Sequence, residues 1–109
     1  MAENIKVLAQ ANPLAATLTD AYVVPTATNA VISSIVVVNR DPVATVFRIS
    51  VAVAGAVDSD EQYLYYDLPI SGNDTFAATL GITLDEDDVV RVYAFLATLS
   101  FNFFGTEID

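Results

Sequence analysis

Strict alternation of apolar and small or polar residues between Thr75 and Leu84 is the feature that most limits how this chain can fold. A period of two places every apolar side chain of such a segment on one face of a β-strand, whereas an α-helix would distribute them around its axis. Residues 44–55, "ATVFRISVAVAG", repeat the pattern with Arg48 on the polar side. Both segments therefore predict strands with one face on a core. The apolar positions are Phe47, Ile49, Val51 and Val53 in one segment and Phe76, Ala78, Leu80, Ile82 and Leu84 in the other.

Further strand-length segments are separated by Asn, Asp, Gly and Pro, which are typical of turns. Residues 30–39, "AVISSIVVVN", are rich in β-branched side chains and uncharged, which indicates a strand covered on both faces. No segment shows the 3.6-residue apolar period of an amphipathic helix. The sequence therefore predicts an all-β protein, an antiparallel β-sandwich of about eight strands and jelly-roll type. Residues 1–12 are predicted to be an N-terminal arm or the first strand, and residues 13–109 a single sandwich domain.

The longest apolar stretch follows Asp88 and runs to Gly105. A helix that crosses a bilayer needs about 20 apolar residues, and here Arg91 interrupts the stretch near its start. Its β-branched and aromatic residues also favour strands over a helix. We therefore interpret the stretch as the last hairpin of a β-protein and predict no membrane contact. Apolar residues on both faces of this hairpin indicate either an inner layer or contact with another subunit.

The four consecutive acids that precede this hairpin raise the question of a calcium site. Carboxylate oxygens are ligands that Ca²⁺ prefers, and Asp85, Asp87 and Asp88 are the candidates. The glycine and the distal glutamate of an EF-hand loop are missing, and neighbouring side chains of a strand point to opposite faces. A solvated turn, whose charges keep strand edges apart, is therefore the favoured interpretation, and no cofactor is predicted.

The residue types present disfavour most enzyme chemistry. The chain has no histidine and no cysteine, which removes the commonest general base, the thiol nucleophile and the usual ligands of zinc. It contains no phosphate-binding loop and no nucleophile elbow. Nothing in the spacing of Asp67 and Asp74 favours a glycosidase pair, and Asp67 is predicted instead to pair with an arginine such as Arg48. We therefore predict a protein without catalytic residues.

Charge and hydrophobicity together indicate protein partners. The net charge of −10 opposes binding to nucleic acid or to an anionic membrane. Hydrophobic residues make up 54% of the chain, more than one small core needs, so some apolar surface is predicted to meet another chain. Self-association as a dimer or trimer is therefore expected. The candidate contact residues are Ile5, Lys6, Val36, Val38, Tyr63, Tyr65, Phe101, Phe103 and Phe104.

Three tyrosines within residues 61–70 form the main aromatic cluster. Aromatic rings of this kind can stack on sugars, so the cluster keeps a carbohydrate-binding module open as a function. The alternative is a purely structural role on the sheet. In that interpretation Tyr66, Leu64 and Leu68 face the core, while Tyr63 and Tyr65 cover a sheet face or a subunit contact.

Five stretches of the sequence resemble a family of small virion structural proteins encoded by tailed bacteriophages, cyanophages among them. The resemblance spans residues 5–108 and concerns overall pattern, not catalytic residues. It implies a non-enzymatic β-sandwich that coats or clamps a viral particle, and it transfers no active site. The stretches are "IKVLAQANPLAATLTDAYVVP", "VISSIVVVNR", "TVFRISVAVAGA", "YLYYDLPISGNDTFAATLGITL" and "DVVRVYAF".

The resemblance and the composition lead to three expectations for function. The first is a capsid cement (decoration) protein that stabilises the shell of the major capsid protein. Such a protein would be made in the cytoplasm of the bacterial host, as the absence of a signal-peptide pattern also predicts, and would lie on the capsid surface of the virion. The second is a tail, neck or baseplate component. The third is a carbohydrate-binding β-sandwich module.

Overall fold

The computed structural model describes residues 2–109, and within that range the chain forms eight β-strands and no α-helix. The all-β prediction is confirmed. Two single turns of 3₁₀-helix, Val53–Gly55 and Asp60–Gln62, lie between β4 and β5. No helix in the described part of the chain is both long and apolar enough to span a bilayer. The strands are β1 Glu3–Ala11, β2 Thr19–Val23, β3 Asn29–Asn39, β4 Thr45–Ala52, β5 Tyr63–Ile70, β6 Thr75–Leu84, β7 Val89–Ala94 and β8 Leu99–Ile108.

The strands form two four-stranded antiparallel sheets that pack as a sandwich with jelly-roll connectivity. Sheet I has the order β1-β8-β3-β6, and sheet II has the order β2-β7-β4-β5. The pairings are those of one long hairpin rolled up: β4 pairs with β5, β3 with β6, β2 with β7 and β1 with β8. The predicted sandwich is thus confirmed. Its edge strands are β1 and β6 in sheet I, and β2 and β5 in sheet II.

Aromatic and aliphatic side chains fill the space between the sheets. Phe47 of sheet II meets Phe101 of sheet I in an edge-to-face contact, with ring centroids 5.9 Å apart. Phe76 at the β6 edge packs against the same Phe47 ring at 5.4 Å. Burial of each such side chain stabilises the fold by about 1.5–3 kcal/mol, so these contacts hold the two sheets together. The largest fully buried apolar side chains are Phe47, Phe101, Phe103, Ile32, Ile35, Ile49, Leu99, Val24, Val37, Val90 and Val92.

The N-terminal segment is a strand of the sandwich in this structure, not a free arm. Ala2 and Asp109 exchange two main-chain hydrogen bonds of 3.0 Å, which anchor the start of β1 to the end of β8. The register between these strands shifts between Val7 and Ala9, and Leu8 is buried in the core at that point. Of the two alternatives for residues 1–12, the described residues therefore adopt the first strand.

The turn after β3 is held by polar side chains, as the sequence "NRDP" predicts. The buried Asn39 amide donates to the carbonyl oxygens of Val43 and Ser71, at 2.9 Å and 3.2 Å. The Asp41 carboxylate accepts a hydrogen bond of 2.9 Å from the Val43 N–H. Aspartate that bonds the backbone two residues on is a common way of closing such a turn. This turn fixes where β4 enters sheet II.

Candidate functional site

The outward side of sheet I carries almost no charge among the described residues, and we call it the neutral face. Its side chains alternate with those that enter the core, and most are Val, Thr, Ser or Ala. Of the charged residues on these four strands, only Glu3, at the far end of β1, occupies a position that faces outward. The neutral face consists of Ile5, Val7 and Gln10 on β1, Val31, Ser34, Val36 and Val38 on β3, Thr75, Ala77, Thr79 and Thr83 on β6, and Ser100, Asn102, Phe104 and Thr106 on β8.

Four of the predicted contact residues lie on the neutral face. Val36 is central, because it pairs with Asn102 of β8 on one side and with Ala77 of β6 on the other. Val38 follows two residues later on the same side, and Phe104 is partly exposed nearby on β8. Ile5, at the β1 end, is 89% exposed. Strand pairing thus brings together side chains that are far apart in the sequence.

Phe101 and Phe103 do not lie on this surface, and their prediction as contact residues is wrong. Both are 0% exposed, because on β8 they alternate with Asn102 and Phe104 and point between the sheets. The sequence places apolar residues on both sides of β8, and parity alone does not reveal which side meets sheet II. The two buried phenylalanines are core residues.

Lys6 forms an internal ion pair instead of projecting freely. Its Nζ lies 2.9 Å from Oε1 of Glu107, whose other carboxylate oxygen accepts a hydrogen bond from the Tyr22 hydroxyl of sheet II. The Tyr22 hydroxyl and the Lys6 ammonium hold the pKa of the Glu107 carboxyl below its usual range. This group ties β1, β8 and β2 together at one end of the sandwich.

The outward side of sheet II carries a cluster of arginine and tyrosine. The Arg48 guanidinium lies 4.1 Å from the ring centroid of Tyr66 and 4.4 Å from that of Tyr93. Its Nε donates a hydrogen bond of 2.6 Å to Asp67, so the predicted pairing of Arg48 with Asp67 is confirmed. Both partners are partly exposed to solvent, and this cation–π and ionic cluster stabilises the sheet surface only modestly.

The facing predicted for the tyrosines is wrong in part. Tyr66 is 59% exposed, whereas Tyr65 packs on Phe47 and Phe76 at the core. Asp67 adopts a left-handed conformation with φ of 51°, and the register of β5 against β4 shifts, so the simple alternation fails after Tyr65. Leu64, also predicted to face the core, is 46% exposed, whereas Leu68 is partly buried against the core.

Tyr63 and Tyr66 line a shallow depression with Asp60, of about 500 Å³. The Tyr63 hydroxyl donates a hydrogen bond of 2.8 Å to Asp58, and its ring meets Tyr66 at 89° with centroids 5.0 Å apart. Arg48 already covers one face of Tyr66. A sugar ring would therefore stack only on the opposite face of that tyrosine, which is a smaller platform than the sequence suggested.

The acidic turn between β6 and β7 uses its carboxylates to bond the backbone. Asp88 is nearly buried and accepts hydrogen bonds of 2.9 Å from the N–H groups of Ala54 and Asp85. Asp85 accepts one of 2.8 Å from the N–H of Glu86. Asp87 takes φ of 67° at the tip of the turn. Within residues 2–109, no group of three or more acids, histidines or cysteines is arranged to hold a metal ion.

Replacement of Asp88 by alanine is expected to lower the free energy of unfolding by about 1–3 kcal/mol, because two N–H groups lose a charged acceptor. Asp87→Asn is the matched control, because asparagine tolerates the left-handed conformation and Asp87 makes no such bonds. Urea denaturation of both variants, with added Ca²⁺ or EDTA, measures the effect. A wild-type midpoint that rises with Ca²⁺ would contradict this backbone-bonding role and reinstate a cation site.

The chain matches no protein-family model, and a search of curated proteins found no similar sequence. Its surfaces therefore carry the functional proposal. Among them the neutral face stands out, because sequence reasoning selected single residues on it but missed its continuity across four strands. The signal in the sequence was the run of uncharged residues at alternate positions of β6 and β8.

Proposed function

We propose that this chain is a non-enzymatic structural protein of a phage virion that acts as a capsid cement protein, with the neutral face as its surface for the assembled shell. The observation that carries the proposal is the contrast between a net charge of −10 and one sheet side without charge over most of its area. The resemblance to phage virion structural proteins supplies the biological context. The alternation of small side chains on a pleated sheet supports a flat, close contact with another protein.

Electrostatics favours protein contact at this side of the molecule over any other. Burial of an unpaired charge is costly, and contact through the neutral face buries none of the fourteen acids except at its margins. Four strands spaced about 4.8 Å apart and about 33 Å long give a footprint of about 600 Å². That is somewhat less than the roughly 800 Å² each partner buries in a standard interface. A modest interface per copy suits a protein that binds in many copies.

The proposed mechanism is mass action on the shell. A protein that binds the assembled shell, and not the separated capsid subunits, shifts the equilibrium towards assembly. At a free concentration about 100 times the dissociation constant, each occupied site contributes about 2.7 kcal/mol. Summed over many sites, such contributions oppose the outward pressure of packaged DNA. The acids that remain outside would keep the decorated surface soluble.

Copy number in the virion tests this proposal. Virions of the phage that encodes the chain are separated into heads and tails, and its peptides are quantified by mass spectrometry. Hundreds of copies with the heads are the expected result. A few copies with the tails would replace the cement role by a neck or baseplate role, which the resemblance equally allows. Absence from both fractions would refute the virion proposal.

The neutral face is tested by one charge placed at its centre. Val36→Asp is expected to reduce co-sedimentation of the purified chain with heads that have been depleted of it by at least about tenfold, because an unpaired carboxylate would be buried in the contact. Val46→Asp is the matched control, since Val46 is a partly buried residue on the outward side of sheet II. Equal loss in both variants, or none in Val36→Asp, would rule out this face.

Carbohydrate binding is the second candidate function, and the depression between Asp60, Tyr63 and Tyr66 is the observation in its favour. A glycan array with the wild-type chain and with Tyr63→Ala and Tyr66→Ala variants distinguishes it from the first. Tyr65→Ala serves as a structural control, because that ring packs at the core. Absence of binding by the wild-type chain would remove this candidate.

A further inference from the structure

The four edge strands of the sandwich differ sharply in how well they are protected from pairing with another chain. Charges, prolines, short length and irregular backbone are the usual protections. Strand β1 carries Glu3 and Lys6, and its register is shifted. Strand β2 has only five residues and includes Asp20. Strand β5 contains Pro69 and, two residues before it, the left-handed Asp67.

Strand β6 has none of the charge, proline or length protections, although its register against β3 shifts between Thr79 and Ile82. It is ten residues long and contains no charged residue and no proline. One edge of its backbone pairs with β3, and the other has no strand beside it. Its outward residues are small, and its inward apolar residues other than Leu84 are only partly covered by the core. An uncharged, extended edge of this length is a ready template for another strand.

A shallow apolar groove runs beside the open edge of β6. It has a volume of about 310 Å³, and its walls are Leu80, Gly81 and Ile82 of β6 with Leu64 and Tyr65 of β5. None of these residues is charged. Leu64 is nearly half exposed in the single chain, although it is a large apolar residue. Whatever pairs with β6 would therefore also cover apolar surface at this side of the sandwich.

We infer that β6 pairs antiparallel with β6 of a second copy, so that the two copies of sheet I form one continuous eight-stranded sheet about a twofold axis at Thr79. This inference does not depend on the proposed function. The strand is self-complementary in that register, because threonine faces threonine and the small residues face each other. The predicted pairs are Thr79 with Thr79, Thr75 with Thr83 and Ala77 with Gly81 on the neutral face, and Phe76 with Ile82 and Ala78 with Leu80 on the core side.

These pairs are of kinds that stabilise sheets. Threonine pairs and aromatic pairs with β-branched residues are favourable across antiparallel strands. Pairing of Phe76 with Ile82 would extend the apolar core across the twofold axis and cover part of the groove. Because each copy has only one such edge, the contact is isologous and assembly stops at the dimer. The two neutral faces would then form a single surface of twice the area.

Charge also shapes this contact. A contact through β6 keeps most acids of the two chains, each with a net charge of −10, away from one another. The exceptions are Asp74 and Asp85, which flank β6 and approach each other across the axis at both ends. The two carboxylates of each such pair repel each other, and dissolved salt screens this repulsion. Dimerisation is therefore expected to strengthen with ionic strength.

Analytical ultracentrifugation of the full chain, from about 1 µM to about 1 mM, tests the inference. The wild-type chain is expected to sediment as a dimer at the upper end of this range. Thr79→Asp places two like charges directly opposite each other and is expected to weaken the dimer about five- to tenfold. Thr79→Lys is expected to do the same. An equimolar mixture of the two variants is expected to recover the dimer, because opposite charges then face across the axis.

Val36→Asp is the control in the middle of the sheet. It is expected to remain dimeric while losing binding to heads, so failure of the cement proposal and failure of this inference give different results. Far-UV circular dichroism confirms that each variant is folded, which is expected since Thr79 is exposed at the sheet edge. A wild-type chain that stays monomeric, a Thr79→Asp dimer of unchanged strength, or a mixture that fails to recover would overturn the inference.

Discussion

Replacement of Phe103 by alanine is expected to lower the free energy of unfolding by about 3–5 kcal/mol, whereas replacement of its neighbour Phe104 is expected to lower it by about 1 kcal/mol or less. The first change leaves a cavity between the sheets, since Phe103 is fully buried. The second removes a partly exposed ring from the neutral face. Urea denaturation monitored by circular dichroism measures both values.

This pair of variants tests which side of β8 points into the core, because the same substitution is made at two consecutive positions. The total stability of a domain is commonly about 5–15 kcal/mol, so Phe103→Ala removes a large share of it. Phe104→Ala is expected to remain folded, and the proposed role of the neutral face predicts that this variant binds heads more weakly. A stability loss for Phe104→Ala as large as that for Phe103→Ala would mean that the core side of β8 is assigned incorrectly.

Alanine at Gly105 is expected to cost more than about 3 kcal/mol or to prevent folding, for a steric reason alone. A Cβ atom there would lie 1.9 Å from the carbonyl oxygen of Val31 and 3.0 Å from the Cα of Ile32. Both atoms belong to the backbone of the adjacent β3, so a side-chain rotation cannot relieve the overlap. The two strands would have to separate where their register changes.

Gly81→Ala is the matched control, because a Cβ atom at that position would meet nothing within 4 Å. Its stability is expected to stay within about 0.5 kcal/mol of the wild type, or to rise by up to about 1 kcal/mol through loss of chain entropy in the unfolded state. Thermal denaturation of both variants is the measurement. A Gly105→Ala chain as stable as the Gly81→Ala chain would contradict the close approach of β8 and β3.

The sequence was sufficient to predict the strands, because period-2 alternation and turn residues are local signals. The pairing of Arg48 with Asp67 was also predictable, since a charge within an apolar strand needs a nearby partner. The outward orientation of Tyr66 was not predictable, because it depends on the left-handed backbone at Asp67, a residue that is not glycine. Local pattern carries no information about such an exception.

The neutral face and the open edge of β6 were also beyond the sequence for a physical reason. Both depend on which strands become neighbours, and that order is set by contacts between distant segments. The sequence of β6 has the pattern of any amphipathic strand, and only the strand order of the sheet shows that it lies at an edge. The error over Phe101 and Phe103 has the same origin, because the position of the second sheet decides which side of β8 is buried.

The rolled-hairpin connectivity also governs when this chain can fold during synthesis. Of the six strand pairings, only that of β4 with β5 joins strands consecutive in the chain. Strand β8 lies between β1 and β3, so a nascent chain that lacks β8 can form only the β3–β6 pair of sheet I. Folding that depends on such distant pairings is slow, typically milliseconds to seconds. The β8-facing edge of "VISSIVVVN" in β3 therefore stays unpaired during translation until residues 99–108 emerge from the ribosome.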